Sequence, residues 1–122
     1  MGKNILIIED DEFLRGLISK KLASEGFAVI SAIDGEKGIE KAREQNPDLI
    51  LLDLLLPNVD GYEVLQKMKE NPATSHIPII VVSNLGQSED IDKAMKLGAT
   101  DFLIKAQYTA EEIVNKVKAA IK

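Results

Sequence analysis

The sequence predicts an α/β fold in which a doubly wound, parallel five-stranded sheet carries helices on both faces. Three observations predict it: short apolar runs recur along the chain, stretches with helical periodicity separate them, and turn residues stand at the junctions. Apolar runs without polar alternation are typical of strands that are buried on both faces, as in parallel sheets. Strict alternation of such strands with helices is typical of a sheet covered on both sides.

Five short apolar runs are the clearest secondary-structure signals in the sequence, and each predicts a strand. Ile79–Val82 is the purest β-branched run, and Leu49–Leu52 is apolar throughout. Both features favour buried strands over loops. In chain order the five runs are Asn4–Ile8, Ala28–Ile33, Leu49–Leu52, Ile79–Val82 and Phe102–Ile104.

Each strand is followed by a predicted helix, in which apolar residues stand three or four positions apart and so line one face. Gly26, Asn46-Pro47-Asp48 and Gly98 are among the turn residues that separate the elements. Ser88 and Thr109 precede acids and are predicted N-caps. The apolar stripes, all expected to face the core, are Leu14, Leu17, Ile18 and Leu22; Gly38, Ile39 and Ala42; Gly61, Val64, Leu65 and Met68; Ile91, Ala94 and Met95; and Ile113, Val114, Val117 and Ile121.

Length and composition limit the possible functions. The 122 residues suffice for one domain, predicted to span 1–122 and to stand alone, because no linker or repeat divides them. The absence of cysteine excludes disulfides and thiolate zinc sites. The net charge of −5 disfavours direct nucleic-acid binding, which needs a clustered basic face. No apolar stretch is long enough to cross a membrane, so we expect a cytoplasmic protein with no membrane partner.

Polar residues follow four of the five predicted strands, at the edge of an open α/β sheet where ligands bind. Glu9-Asp10-Asp11 follows the first strand, Asp53 the third, Ser83-Asn84 the fourth and Lys105 the fifth. Three acids in the first loop exclude the glycine-rich turn of a dinucleotide fold and a phosphate-binding P-loop. Such a site would repel phosphate unless a cation intervenes.

A divalent metal would relieve the repulsion among these carboxylates. Hard oxygen ligands without cysteine point to Mg²⁺, with Mn²⁺ possible, rather than to zinc. Lys105 and the Ser83 hydroxyl, opposite the metal, could then hold a phosphoryl group. The carboxylate of Asp53 would be the nucleophile and would form an acyl phosphate.

A purely structural role is the alternative for each of these residues. Acids at a strand-to-helix junction often cap the helix, and Asp11 is expected to do so. Asp53 alone at a strand end would be structural about as often as functional. An acidic pair, an aspartate, a serine and a lysine at four separate strand ends is a much rarer coincidence, which favours a site.

Five motifs spread over the chain occur together. They are Ile5-Leu6-Ile7-Ile8-Glu9-Asp10-Asp11, Pro47-Asp48-Leu49-Ile50-Leu51-Leu52-Asp53, Leu55-Leu56-Pro57 with Asp60-Gly61, Pro78-Ile79-Ile80-Val81-Val82-Ser83, and Gly98-Ala99 leading to Phe102 and Lys105. With them the chain resembles, over its whole length, the receiver domain of two-component response regulators, of the stand-alone type found in chemotaxis regulators. Each motif alone is a weak signal, but the set is specific.

The resemblance implies a flavodoxin-like sheet with strand order 2-1-3-4-5. It also implies that Asp53 is the phosphoacceptor, charged by a histidine kinase or a histidine phosphotransfer protein. Asp10 then corresponds to a direct metal ligand, Glu9 to a ligand acting through water, and the backbone carbonyl of Leu55 to a third protein ligand. Together with Asp53, these residues form the implied metal site.

The resemblance further implies a switch that reports phosphorylation. Ser83 corresponds to the hydroxyl residue that moves to the phosphoryl group, and Phe102 to the aromatic residue that changes rotamer with it. Lys105 corresponds to the lysine that pairs with a phosphoryl oxygen. The output would be a change in the surface formed by helix 4, strand 5 and helix 5, which an unknown downstream protein would bind.

The sequence departs from the family pattern at three positions. Asn84 stands where alanine or glycine is usual, so access to Asp53 could be narrower. Ala106 stands where proline is usual, after a peptide bond that is typically cis in the family. A cis bond before a residue other than proline costs about 2.5–4 kcal/mol, so we expect either a strained loop or a rearranged one. Phe102 replaces the commoner tyrosine and lacks its hydroxyl.

Three functions therefore compete. The first is a phosphorylatable switch, which is not an enzyme except toward its own aspartyl phosphate. The second is a pseudo-receiver that binds proteins without being phosphorylated, an option that Asn84 and Ala106 leave open. The third is a metal-dependent phosphatase with an aspartyl nucleophile. It is disfavoured because such enzymes place an acid two residues after the nucleophile, where this chain has Leu55.

Overall fold

The computed structural model describes residues 3–121, so the two ends of the predicted domain 1–122 lie outside the described residues. Within that range five strands alternate with five helices, as the sequence predicts. A single 3₁₀ turn at Lys105–Gln107 follows the last strand. The elements are β1 (Asn4–Ile8), α1 (Glu12–Ser24), β2 (Ala28–Ala32), α2 (Gly35–Gln45), β3 (Leu49–Leu52), α3 (Gly61–Glu70), β4 (Ile79–Ser83), α4 (Ser88–Lys96), β5 (Asp101–Ile104) and α5 (Ala110–Ile121).

The sheet is parallel throughout, and its strand order, β2-β1-β3-β4-β5, confirms the flavodoxin-like order that the resemblance implied. Its register decides which residues meet at the carboxyl edge. Ile8 of β1 pairs with Leu52 of β3, so the next residues on the two strands are Glu9 and Asp53. Ser83 of β4 pairs with Ile104 of β5, which brings Lys105 to the same edge.

The core consists of two layers, one on each face of the sheet. One layer packs the apolar faces of α2, α3 and α4 against the sheet, and the other packs those of α1 and α5. The stripe that includes Met68 is buried, as predicted. Met95 and Leu17, which the stripes on α4 and α1 assigned to the core, are 44% and 39% exposed, so these two predictions are wrong. On α4 the buried residue is Ala94, whereas the neighbouring Met95 is exposed to solvent.

The element ends show small differences from the predictions. β2 ends at Ala32, and Ile33, predicted as its last residue, is exposed. Asp11 caps α1, and Thr109 accepts a hydrogen bond from the Glu112 N–H at the start of α5, so both caps are confirmed. Ser88 is the first residue of α4 rather than its cap.

Among the described residues, no helix is long and apolar enough to span a bilayer.

Candidate phosphoacceptor and metal site

Three carboxylates meet where β1 and β3 end. Glu9, Asp10 and Asp53 each offer an oxygen, and the three oxygens lie within 4.8 Å of one another. Glu9 and Asp53 are buried, each 3% exposed, whereas Asp10 is exposed. The site therefore has two buried acids and one acid at its mouth, open to a cation or a phosphodonor.

Lys105 provides the positive charge of the site. Its Nζ lies 2.8 Å from Glu9 Oε1 and 2.8 Å from Asp53 Oδ2. A lone buried carboxylate is expensive, and two side by side are more so, unless a cation compensates them. The lysine thus stabilises both acids at once and confirms that the ends of β1, β3 and β5 form one cluster.

The charges in this cluster shift one another's proton affinity. The pKa of Glu9 is raised to about 7: burial is the largest cause and the neighbouring Asp53 charge adds to it, whereas the hydrogen bond from Lys105 opposes both. Burial lowers the pKa of Lys105, but its hydrogen bonds to Asp53 and Glu9 outweigh that effect, so its pKa lies above the ordinary value. Lys105 therefore remains an ammonium at neutral pH.

The donor set fits a hard divalent cation. Carboxylate oxygens are the ligands that Mg²⁺ and Mn²⁺ favour, and one or two direct carboxylates suffice for Mg²⁺. The backbone of Leu55 is adjacent, because its N–H donates to Asp53 Oδ1 at 3.1 Å. The Leu55 side chain is 53% exposed.

The two predicted switch residues lie on β4 and β5. Ser83 is fully buried, and its Oγ accepts a hydrogen bond of 3.3 Å from the Leu85 N–H. Phe102 is half-buried and packs against the core layer beneath α2, α3 and α4. Asn84, directly after the serine, is exposed. That the two residues move together stays a prediction.

The Lys105–Ala106 bond is trans, since residues 3–121 contain no cis peptide bond. Lys105 is the first residue of the 3₁₀ turn and still reaches Asp53. A residue before proline avoids helical backbone angles, so this turn is a path that the family's usual proline would disfavour. The expected cis bond is absent, and Lys105 reaches Asp53 across a trans bond without proline at position 106.

Restoring proline at position 106 tests this turn. We expect Ala106→Pro to lower the free energy of unfolding by more than about 1 kcal/mol, because proline disfavours the helical conformation of Lys105. Urea denaturation measures this, with the exposed neighbour Gln107→Ala as the control. An Ala106→Pro protein as stable as wild type would show that the turn accommodates proline.

Three contacts between separate parts of the fold have no signal in the sequence. Arg15 Nη1 donates to the backbone carbonyl of Glu9 at 2.9 Å. Tyr62 on α3 donates to Asp90 Oδ1 on α4 at 3.1 Å, while Lys93 Nζ lies 4.2 Å from the centroid of the tyrosine ring. Burial and the Asp90 hydrogen bond raise the pKa of Tyr62 to about 12. The sequence left the burial of Tyr62 open, and the structure makes it a half-buried link between α3 and α4.

Known proteins share both the sequence pattern and the fold. The response regulator receiver domain family matches residues 5–118. The transcriptional regulator RpaA of Synechocystis is 40% identical over 118 residues, which cover 97% of this chain and 48% of RpaA. The chain spans about half or less of the length of the curated relatives that it matches.

Solved structures agree with this fold. A receiver domain protein from Methanospirillum hungatei superposes with a TM-score of 0.91 at 25% identity, covering 99% of this chain and 94% of that one. The Mn²⁺-bound form of the response regulator Rcp1 has a TM-score of 0.85 at 28% identity, with 96% and 92% covered. The match over residues 5–118 and the acidic pocket with its lysine lead to one conclusion: this chain belongs to the receiver domains of two-component response regulators, a family of signalling switches.

Proposed function

We propose that this receiver domain is a phosphorylatable switch that accepts a phosphoryl group on Asp53 from a histidine kinase or a histidine phosphotransfer protein. The observation that carries the proposal is the position of Asp53, which is buried beside Glu9 and held at 2.8 Å by Lys105. A buried carboxylate held by one ammonium has a fixed orientation and a free oxygen lone pair, as a nucleophile requires.

The transfer follows from the groups around Asp53. A carboxylate oxygen of Asp53 bonds to phosphorus as the bond between phosphorus and the donor's imidazole nitrogen breaks, and the electron pair remains on that nitrogen. Lys105 and the Ser83 hydroxyl would then hold the phosphoryl oxygens and stabilise their negative charge. Asp10, Glu9 and the Leu55 carbonyl would hold Mg²⁺ (or Mn²⁺), which supplies charge neutralisation between the acids and the incoming phosphoryl group.

The structural change that follows phosphorylation would be transmitted from the site through β4 and β5. If Lys105 pairs with a phosphoryl oxygen, its contact with Glu9 weakens, and Ser83 turns from the Leu85 N–H toward the new oxygens. Phe102, which packs against the layer that includes α4, can follow that movement. We propose the α4, β5 and α5 surface as the output, bound by a downstream protein rather than by nucleic acid, and a cytoplasmic location for the domain.

Two other functions remain distinguishable by one experiment. A pseudo-receiver would bind partners with Asp53 unmodified, and a phosphatase would turn over a phosphate ester. The experiment has two readouts: the intact mass of the protein after incubation with acetyl phosphate and Mg²⁺, and the release of phosphate from a phosphate ester under the same conditions. A stable adduct supports the switch, no adduct supports the pseudo-receiver, and turnover of a phosphate ester without a lasting adduct supports the phosphatase.

Phosphorylation is expected to require a divalent cation. Excess chelator should abolish the adduct, and Asp10→Ala should weaken Mg²⁺ binding by about tenfold or more, because a direct carboxylate ligand is lost. Titration calorimetry measures the affinity. Glu12→Ala, which removes an exposed acid from the first turn of α1, is the matched control. Full phosphorylation in chelator would refute the metal requirement.

The phosphorylated state is expected to be long-lived. Hydrolysis needs a water in line behind phosphorus, and in the family the residues two positions after Asp53 and Ser83 flank that approach. Here they are Leu55 and Leu85, which are apolar and cannot orient the water. One orienting contact of about 1.4 kcal/mol changes the rate about tenfold.

The decay rate of the phosphorylated protein measures this effect in Leu55→Asn and Leu85→Glu. Leu55 is exposed, so its replacement disturbs the fold least, whereas Leu85 is half-buried against the core. Decay no faster than in wild type in both variants would show that the apolar flanks do not set the lifetime.

A further inference from the structure

The segment Glu9–Asp11 carries the acids of the first loop and is held by hydrogen bonds at both of its ends. The Glu9 N–H donates to the Ala32 carbonyl of β2 at 3.1 Å. The Asp11 N–H donates to Glu9 Oε2 at 3.1 Å, and the Asp11 side chain accepts from the Leu14 N–H to cap α1. Among the described residues, none of these contacts holds the exposed carboxylate of Asp10 itself. The direction of the Asp10 side chain therefore depends on the orientation of the Glu9–Asp10 peptide bond.

Arg15 holds that peptide. Its Nη1 donates to the Glu9 carbonyl at 2.9 Å, while its own backbone N–H donates to the Asp11 carbonyl at 2.9 Å within α1. Long side chains on a helix point back toward its N-terminus, which explains how Arg15 reaches the preceding loop. The orientation of the Glu9–Asp10 peptide is thereby tied to α1, a helix anchored by the buried side chains of Ile18 and Leu22.

The positive charge of Arg15 disfavours the binding of a cation at this site. Its guanidinium carries a permanent positive charge next to acids that would hold a divalent metal, and like charges repel. If Arg15 acted on the metal by charge alone, removing it would tighten metal binding. A benefit to metal binding must therefore come from geometry.

We propose that Arg15 is a positioning residue for metal binding: by holding the Glu9 carbonyl it aims the Asp10 carboxylate at the site shared with Asp53. The inference rests on the proposed metal-dependent function and adds Arg15, which lies outside the five motifs named above, to the residues that serve the site. Partners that orient a metal ligand without touching the metal typically contribute 10- to 100-fold in affinity.

Mg²⁺ titration calorimetry of the unphosphorylated full chain tests the role. We expect Arg15→Met to weaken Mg²⁺ binding by about tenfold, although it removes a repelling charge. Salt sharpens the distinction, because screening reduces the contribution of charge and leaves geometry intact. The deficit of Arg15→Met should therefore persist or grow at high salt. Lys20→Met, which removes an exposed cation from the same helix, is the control and should bind Mg²⁺ like wild type.

A double-mutant cycle separates positioning from general damage to the fold. If Arg15 acts through Asp10, Arg15→Met should change Mg²⁺ affinity little in an Asp10→Ala background. Urea denaturation in chelator checks that each variant is folded. An equal deficit in both backgrounds would overturn the positioning role.

The remaining outcomes are also decisive. Unchanged or tighter Mg²⁺ binding by Arg15→Met overturns this inference alone, provided that wild type binds Mg²⁺ and accepts phosphate on Asp53. A wild-type protein that binds no Mg²⁺ overturns both this inference and the proposed function.

Discussion

Asp53→Asn is expected to abolish the phosphoryl adduct completely. The amide nitrogen that replaces one carboxylate oxygen is a poor nucleophile, and an amide cannot form the acyl phosphate that the transfer requires. Intact-mass measurement after incubation with a phosphodonor and Mg²⁺ should show no added phosphoryl group. The variant should remain folded, because the cluster of Glu9, Asp10 and Asp53 has more negative than positive charge and loses one negative charge.

Asp92→Asn provides the matched control for that loss. Asp92 is an exposed acid on α4, and we expect its variant to be phosphorylated like wild type. Uptake of phosphate by Asp53→Asn at the wild-type rate would refute the assignment of Asp53. Loss of uptake in both variants would point to damage elsewhere.

Lys105→Met is expected to have the largest effect on stability. It removes the ammonium that lies 2.8 Å from both Glu9 and Asp53 and leaves two buried carboxylates without a cation. Removing one partner of a buried ion pair costs about 3–5 kcal/mol, and the lower end applies because the lysine side chain is 16% exposed. Urea denaturation in chelator, at pH 8, measures the loss of about 3 kcal/mol.

The stability loss should depend on pH in a defined direction. The pKa of Glu9 in the folded state is about 7, above its ordinary value of 4.5, so folded wild type binds more protons than the unfolded chain between these values. Stability therefore falls as pH rises through that window. Without the Lys105 hydrogen bond, which lowers the pKa of Glu9, the window extends upward. The deficit of Lys105→Met should thus be larger at pH 8 than at pH 6.

Lys118→Met is the control for loss of an ion pair as such. Lys118 Nζ lies 2.8 Å from Glu25 Oε1, as close as Lys105 lies to its partners, but both side chains are more than 40% exposed. Exposed pairs contribute little, so this variant should unfold like wild type at both pH values. A pH-independent deficit in Lys105→Met would show that packing, rather than charge, accounts for its effect.

Sequence patterns were sufficient to predict the strands of the sheet and the acids of the site. Apolar runs identify the strands, and the carboxyl ends of parallel strands share one edge, so Glu9, Asp53 and Lys105 could be placed together before any coordinates. The strand order required the family resemblance, because periodicity does not say which strands are neighbours. The ends of β2 and β4 and the starts of α4 and β5 differ from the predicted positions by one residue.

The sequence could not predict contacts that depend on the conformation of one long side chain. Lys105 makes its double contact from the first residue of the 3₁₀ turn after β5, and no local signal in the sequence specifies that turn. Arg15 contacts the Glu9 carbonyl through one hydrogen bond, and the Tyr62 hydroxyl contacts both Oδ1 and the backbone carbonyl of Asp90. Each contact connects separate elements through a single long side chain. Met95 shares its periodicity with buried residues, but its exposure depends on how closely α4 approaches the sheet.

The pairing of strands also determines when the two buried acids of the site acquire their cation during folding. Glu9 and Asp53 come together as soon as β1 pairs with β3, whereas Lys105 arrives only when β5 docks on β4 at the edge of the sheet. Because β5 lies at the edge of the sheet, forms with β1 paired to β3 and β5 undocked are incomplete structures of this domain. Such forms would hold two buried acids without their cation. The acidic pocket therefore destabilises incomplete structures relative to the finished one and makes folding of the domain more cooperative.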